Sequence, residues 1–171
     1  GWTKEHLQIL NSELEKFVSF FVEHPFVQRA GDLNLPIFDV LDSSLSNRTC
    51  MLGPNIECYD YNGDKYPCHL FSPVAIDMEK AKNAANLDFA NLKKKIGPCS
   101  KCFINKICAR CFAINYRDRN NYLLPSAFDC AQYKLFFYAN CKLEKILAHI
   151  QGDKGREILV DNIIHLLKTQ K

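Results

Sequence analysis

Residues 99–130 read CSKCFINKICARCFAINYRDRNNYLLPSAFDC, and five cysteines recur through them at Cys99, Cys102, Cys108, Cys111 and Cys130. Two C-x2-C pairs let neighbouring thiols converge on one centre, and Cys130 offers a further donor downstream. Thiolates spaced in this way suit a soft metal or an iron–sulfur cluster, because both are held by converging sulfur ligands. Phe103, Ile104 and Ile107 lie between the cysteines and would shield such a centre from water.

The rest of the composition is that of a globular chain. With 171 residues, 47% of them hydrophobic, it can bury one core and carry an appendage. It has no apolar run long enough for a membrane span. Lys4, Glu5, Glu13, Glu15 and Lys16 interrupt residues 1–20, which therefore do not resemble a secretory signal, and a cytoplasmic location is expected. The nine cysteines are an odd number, which together with the C-x2-C pairs argues against a disulfide framework. A net charge of +3 conceals a basic stretch of Lys93, Lys94, Lys95, Lys101, Lys106, Arg110, Arg117 and Arg119, opposed only by Asp118. Such a patch suits nucleic acid, yet thiolates around a cluster are anionic and would be stabilised by the same cations. Nucleic acid is accordingly not the expected partner.

An α+β fold is expected. Leu7, Leu10, Leu14, Phe17, Val18 and Phe21 recur at helical spacing over residues 4–24, and Pro25 closes the segment. Residues 26–49 are irregular, with a short helix expected over 37–45. Residues 50–73, CMLGPNIECYDYNGDKYPCHLFSP, change character. There Asn62-Gly63 predicts a β-hairpin between Glu57–Tyr61 and Lys65–Cys68, placing Cys58 and Cys68 on or near its arms with Cys50 close by. Residues 74–98 are helical in part, with a short helix capped by Asp88 and stopped at Gly97-Pro98. A long helix is expected from Ser126 to Gln151, with Cys130 in its first turns, where the helix dipole favours a thiolate. Gly152 and Gly155 separate it from a last helix over Arg156–Lys168.

The register from Cys50 to Cys130 carries a more specific signal. Gly63 follows Cys50 after twelve residues and Cys68 follows Gly63 after four, in the wording NGDKYPCH. Cys99, Cys102 and Cys108 form C-x2-C-x5-C, Cys111 follows after two intervening residues, and Cys130 closes the set. This resembles the SPASM domain, the auxiliary-cluster module of radical S-adenosylmethionine enzymes that modify peptides and proteins. The family usually has three residues before the fourth cysteine of the second run, so this chain is one shorter there. The resemblance spans residues 50–130, leaving residues 1–49 as an N-terminal helix and linker and residues 131–171 as a helical extension.

The resemblance implies two auxiliary 4Fe–4S clusters, one held by Cys50, Cys58, Cys68 and Cys111, the other by Cys99, Cys102, Cys108 and Cys130. Cys141 is left over and reads as a core residue. No C-x3-C-x2-C site for S-adenosylmethionine cleavage occurs. The chain thus resembles the C-terminal portion of such an enzyme, expected to work with a catalytic barrel and a peptide or protein substrate and not to be catalytic alone. Apolar surface for that barrel is expected around Leu10, Leu14, Phe17 and Phe21 or on helix 126–150. A structural zinc module that binds a partner is the rival reading, and the same thiols would take zinc if the protein were prepared in air. His6, His24, His69, His149 and His165 are scattered, and only His69, beside Cys68, is placed to support a ligand. Asp60, Asp64 and Asp77 read as turn or cap residues.

Overall fold

The computed structural model describes residues 2–44, 56–88, 99, 101–108 and 111–169. They form a small α+β structure in two compact units. The first comprises Gly1–Asn47, Cys102–Cys108 and Ser126–Lys171; the second comprises Arg48–Lys101 and Ala109–Pro125. The segments expected as an N-terminal linker region and a C-terminal extension therefore share one unit, which also takes in part of the cysteine-rich stretch.

Three helices build most of the first unit: α1 (Lys4–Glu23), and two later ones that we number α4 (Ala127–Ile150) and α5 (Lys154–Thr169). Thr3 starts α1 with a reciprocal cap, its hydroxyl accepting from His6 N while His6 Nδ1 accepts from Thr3 N. Ser126 caps α4 by accepting from Asp129 N at 2.9 Å. Gly152, at φ 71°, closes α4. Asp153 N then donates to Ala148 O and Gly152 N to His149 O, a double closure that needs a left-handed residue.

Helix α4 is buried along two stripes. Ala139 and Leu143 meet Leu14, Val18 and Phe21 of α1. Phe137 and Cys141 pack with Val160 and Ile163 of α5, with Ile37 and Val40, and with Ile104 and Ile107 of the 102–108 segment. Leu14 and Phe21, expected on a surface left for a partner, are thus core residues, because α4 covers them. The helix expected over 37–45 is a single 3-10 turn, Ile37–Val40. Pro36 precedes it, and the Asp42 carboxylate accepts from Ser44 N and Oγ, a local turn that competes with helix propagation.

Polar groups inside this unit are matched to sequence-distant partners. Asn140 donates to Asp32 O and Phe136 O and accepts from Leu35 N, so its amide fixes the loop before the 3-10 turn. The buried Glu144 carboxylate accepts from Arg29 Nη1 at 2.7 Å and from Arg156 Nη2. Arg156 also lies over the Phe38 ring.

The second unit is built on a two-stranded antiparallel hairpin, β1 (Cys58–Tyr59) and β2 (Lys65–Tyr66), with Cys58 opposite Tyr66. Its turn lies at the expected Asn62-Gly63, but only Gly63 has positive φ. Gly63 N donates to Asp60 O and Asp60 N to Asp64 O, while Asp60 Oδ1 accepts from Asn62 N and Asp64 N. The connection is therefore a turn followed by a left-handed glycine, stabilised by an aspartate, and not the tight two-residue form. A 3-10 turn (His69–Phe71) leads to α2 (Met78–Ala85), capped by Asp77 accepting from Lys80 N. A further helix of the unit among the described residues, α3 (Phe112–Arg119), ends at Asn120 in the left-handed conformation. The helix expected after Asp88 falls outside the described residues, as do Cys50, Gly97-Pro98, Lys93, Lys94, Lys95 and Arg110. Among the described residues no helix is long and apolar enough to cross a membrane.

Replacing the buried Glu144 leaves two partly buried guanidinium groups, of Arg29 and Arg156, without their shared carboxylate. The E144A variant is expected to lose about 2 kcal/mol of stability, read as a lower urea midpoint at unchanged slope.

Candidate metal centre

Three of the four cysteines grouped in one expected ligand set lie around a single apolar cluster. In the second unit Tyr66, Cys68, Phe71, Ile76, Ala81, Ala84, Phe112 and Ala113 are buried together, and the half-buried Cys58 and Cys111 pack against them. Each thiol arrives by a different local device. Cys58 is carried on β1, where pairing with Tyr66 fixes its register. Cys68 follows β2 and begins the 3-10 turn in extended conformation, its carbonyl accepting from Phe71 N at 3.0 Å. Cys111 begins α3, and its carbonyl accepts from Asn115 N at 3.2 Å.

The surroundings are fixed by aromatic and amide contacts. Asn115 Nδ2 donates to Tyr122 O at 3.0 Å, and the Tyr116 and Tyr122 rings stack with centroids 4.1 Å apart and planes 13° from parallel. Burial, followed by the hydrogen bond with Tyr116, pushes the Tyr122 phenol above its ordinary range, so it stays protonated. Lys80 Nζ donates to Arg117 O and joins α2 to α3. Tyr66 OH donates to Asp60 Oδ2, so one hydrogen bond ties the hairpin turn to the cluster. His69 is exposed, and its carbonyl accepts from Ser72 N and Oγ, which makes it a turn residue in its backbone role. Of the basic residues, Arg117 pairs with Asp118, which holds that carboxyl below the usual range chiefly through their hydrogen bond.

The second expected set is distributed differently. Cys99 belongs to the second unit, and Cys102, Cys108 and Cys130 belong to the first. Each C-x2-C pair thus has one member in each unit. Cys102 begins a 3-10 turn (Phe103–Lys106), and Cys108 N donates to Ile104 O as that turn ends. The segment is held within its own unit by Tyr133 OH donating to Ile107 O at 2.7 Å and by Lys106 Nζ donating to Val40 O and Asp42 O. Cys130 is exposed in the first turns of α4.

Among the described residues, no three Cys, His, Asp or Glu side chains come together as a group able to hold a metal ion. The donor chemistry of Cys58, Cys68 and Cys111 is nevertheless that of a sulfur-ligated group, since they are soft thiols bordering one apolar cluster, with Cys68 buried and the other two half-buried. Helix α3 escaped the sequence reading because its cysteine neighbourhood reads as loop. Asn120 just beyond it, with Arg117 and Arg119 in its last turn, was the available sign of a helix end.

Comparison with protein-family models, with curated proteins and with solved structures returned no match.

Cys141 stands apart from both sets. It is fully buried in the first unit, and burial, followed by the Glu144 charge, raises its thiol from near 9 to about 12. A raised folded-state value stabilises the fold fully below the unfolded thiol range, and this contribution is lost as pH rises towards 12. The wild type should therefore lose more stability than C141A between pH 9 and pH 12, measured by urea unfolding at each pH. Native alkylation at neutral pH should modify the exposed Cys130 well before Cys141.

Proposed function

We propose that this chain is an auxiliary iron–sulfur domain of a radical S-adenosylmethionine enzyme that modifies a peptide or protein. The observation that supports this reading is that Cys58, Cys68 and Cys111 all border one apolar cluster, whereas Cys141, outside both proposed sets, is buried in a different core. Cys50 completes that ligand set in the proposal, and Cys99, Cys102, Cys108 and Cys130 form the other. A 4Fe–4S cluster, when bound, supplies a one-electron carrier.

The chain's own residues support that role in defined ways. Tyr66, Phe71 and Phe112 form the apolar core that Cys68 joins and that Cys58 and Cys111 border. The β1–β2 register and the start of α3 hold Cys58 and Cys111 on regular structure rather than on free loops. All eight proposed ligands are cysteines, which favours electron transfer or a structural role over direct binding of substrate to iron. Cleavage of S-adenosylmethionine is assigned to a catalytic barrel acting with this chain, in a reducing cytoplasm that keeps the thiols available.

The test is anaerobic reconstitution with iron and sulfide, followed by metal and sulfide analysis. Each of C58S, C68S and C111S should lose about half of the bound iron, and C141A should retain it all. Circular dichroism of each variant separates lost ligation from lost folding. Stoichiometric zinc without sulfide in anaerobically prepared protein would replace this reading with the structural zinc module. Iron loss by C141A equal to that of a folded C68S would refute the ligand grouping. With S-adenosylmethionine and dithionite, the reconstituted chain should release no 5′-deoxyadenosine until a barrel is supplied.

A further inference from the structure

Helix α1 is apolar on the side that packs and apolar again on the side that does not. Leu14, Val18 and Phe21 are buried, whereas Ile9 is 55% exposed and Phe20 is 43% exposed. Residues 9 and 20 are about three helical turns apart, so they share one line along the helix. Glu13 and Lys16 lie between them on the same line, paired at 2.7 Å and well exposed. A surface helix with one packed face ordinarily turns a polar face outward. Here the outward face is apolar towards its ends and charged in its middle.

At the N-terminal end of this face lies an open groove of about 560 Å³ lined by Trp2, His6, Ile9, Leu10 and Glu13. His6, Ile9, Leu10 and Glu13 are spaced i, i+3, i+4 and i+7, the four positions that form the hole for a knob from a facing helix. Trp2, set edge-on to His6, closes the end. The exposed Phe20 at the other end of the same face is an aromatic knob.

We propose that the occupant of this face is a second copy of the chain, paired through α1 in antiparallel orientation about a two-fold axis near the middle of the helix. That axis sets Glu13 of each copy against Lys16 of the other. It also sets Phe20 of each against Ile9, in the groove of the other, and His6 against Glu23. The surface is therefore self-complementary in charge and in shape, as an isologous contact must be. Parallel pairing would oppose Glu13 to Glu13 and Lys16 to Lys16, and is selected against by the same two residues. One helix pair buries less than the roughly 800 Å² per partner of a standard interface, so a weak, micromolar association is expected.

Sedimentation equilibrium of the whole chain over a concentration series tests this. Wild type should associate reversibly to a dimer. E13K and K16E should each weaken association about tenfold, because each places like charges against one another. Both positions are exposed, with side chains 49% and 70% accessible, so folding is not at stake. An equimolar mixture of the two variants should recover wild-type association as a heterodimer, since the base introduced at position 13 of one chain meets the acid at position 16 of the other. F20S should weaken association without altering the circular dichroism spectrum. A wild type that stays monomeric throughout, single charge variants that associate like wild type, or a mixture that fails to recover would each overturn the proposal.

Discussion

The Glu144 carboxylate, buried on α4 and shared between Arg29 and Arg156, is the constraint on which the first unit turns. A buried carboxylate is tolerated only with partners, and these two come from sequence-distant segments. Satisfying the charge fixes the loop after α1 and the start of α5 against one helix. Asn140, one turn earlier, makes the same demand with neutral groups, holding Asp32 O and Leu35 N. Shape complementarity along α4 supplies the burial, and these two polar residues select which arrangement of the helices is compatible with it.

The second unit follows a different logic. Its hairpin is only two residues per strand, too short to be stable by pairing alone. Burial of Tyr66, Phe71 and Phe112 beside the small Ala81, Ala84 and Ala113 gives it a core in which the alanines let the helices come close to the hairpin. The thiols of Cys58, Cys68 and Cys111 border that core, so the packing that holds the unit also sets the positions of these three side chains.

Much of this could be read before any coordinates, and the reasons are local. The helix of Lys4–Glu23 shows its period plainly, Ser126 is a strong cap, and Gly152 marks a stop that positive φ explains. The hairpin was legible at Asn62-Gly63, but not the form of its turn, because the Asp60 carboxylate's two amide contacts depend on geometry that residue types do not encode. Which face of α1 would be covered was not legible either. Leu14 and Phe21 are core only because Ala139 and Leu143 lie over them, far along the chain. For the candidate centre, spacing singled out the cysteines as a set and the resemblance grouped them; in the structure Cys68 belongs to one apolar cluster, and Cys58 and Cys111 pack against it. Spacing could not reveal that residues 102–108 belong with the helices of the first unit, since that follows from burial of Ile104 and Ile107.

The way residues 102–108 are fastened bears on the entropy of ligation. Ile104 and Ile107 are buried, Tyr133 holds the Ile107 carbonyl, and Lys106 reaches the carbonyls of Val40 and Asp42. The backbone carrying Cys102 and Cys108 has thus already given up its conformational freedom to ordinary packing and hydrogen bonds. Small metal-dependent domains give up that freedom at the moment of binding, and much of the metal's affinity is spent on ordering the chain. In the ligation proposed for Cys102 and Cys108, thiols carried on this pre-ordered segment would escape that cost.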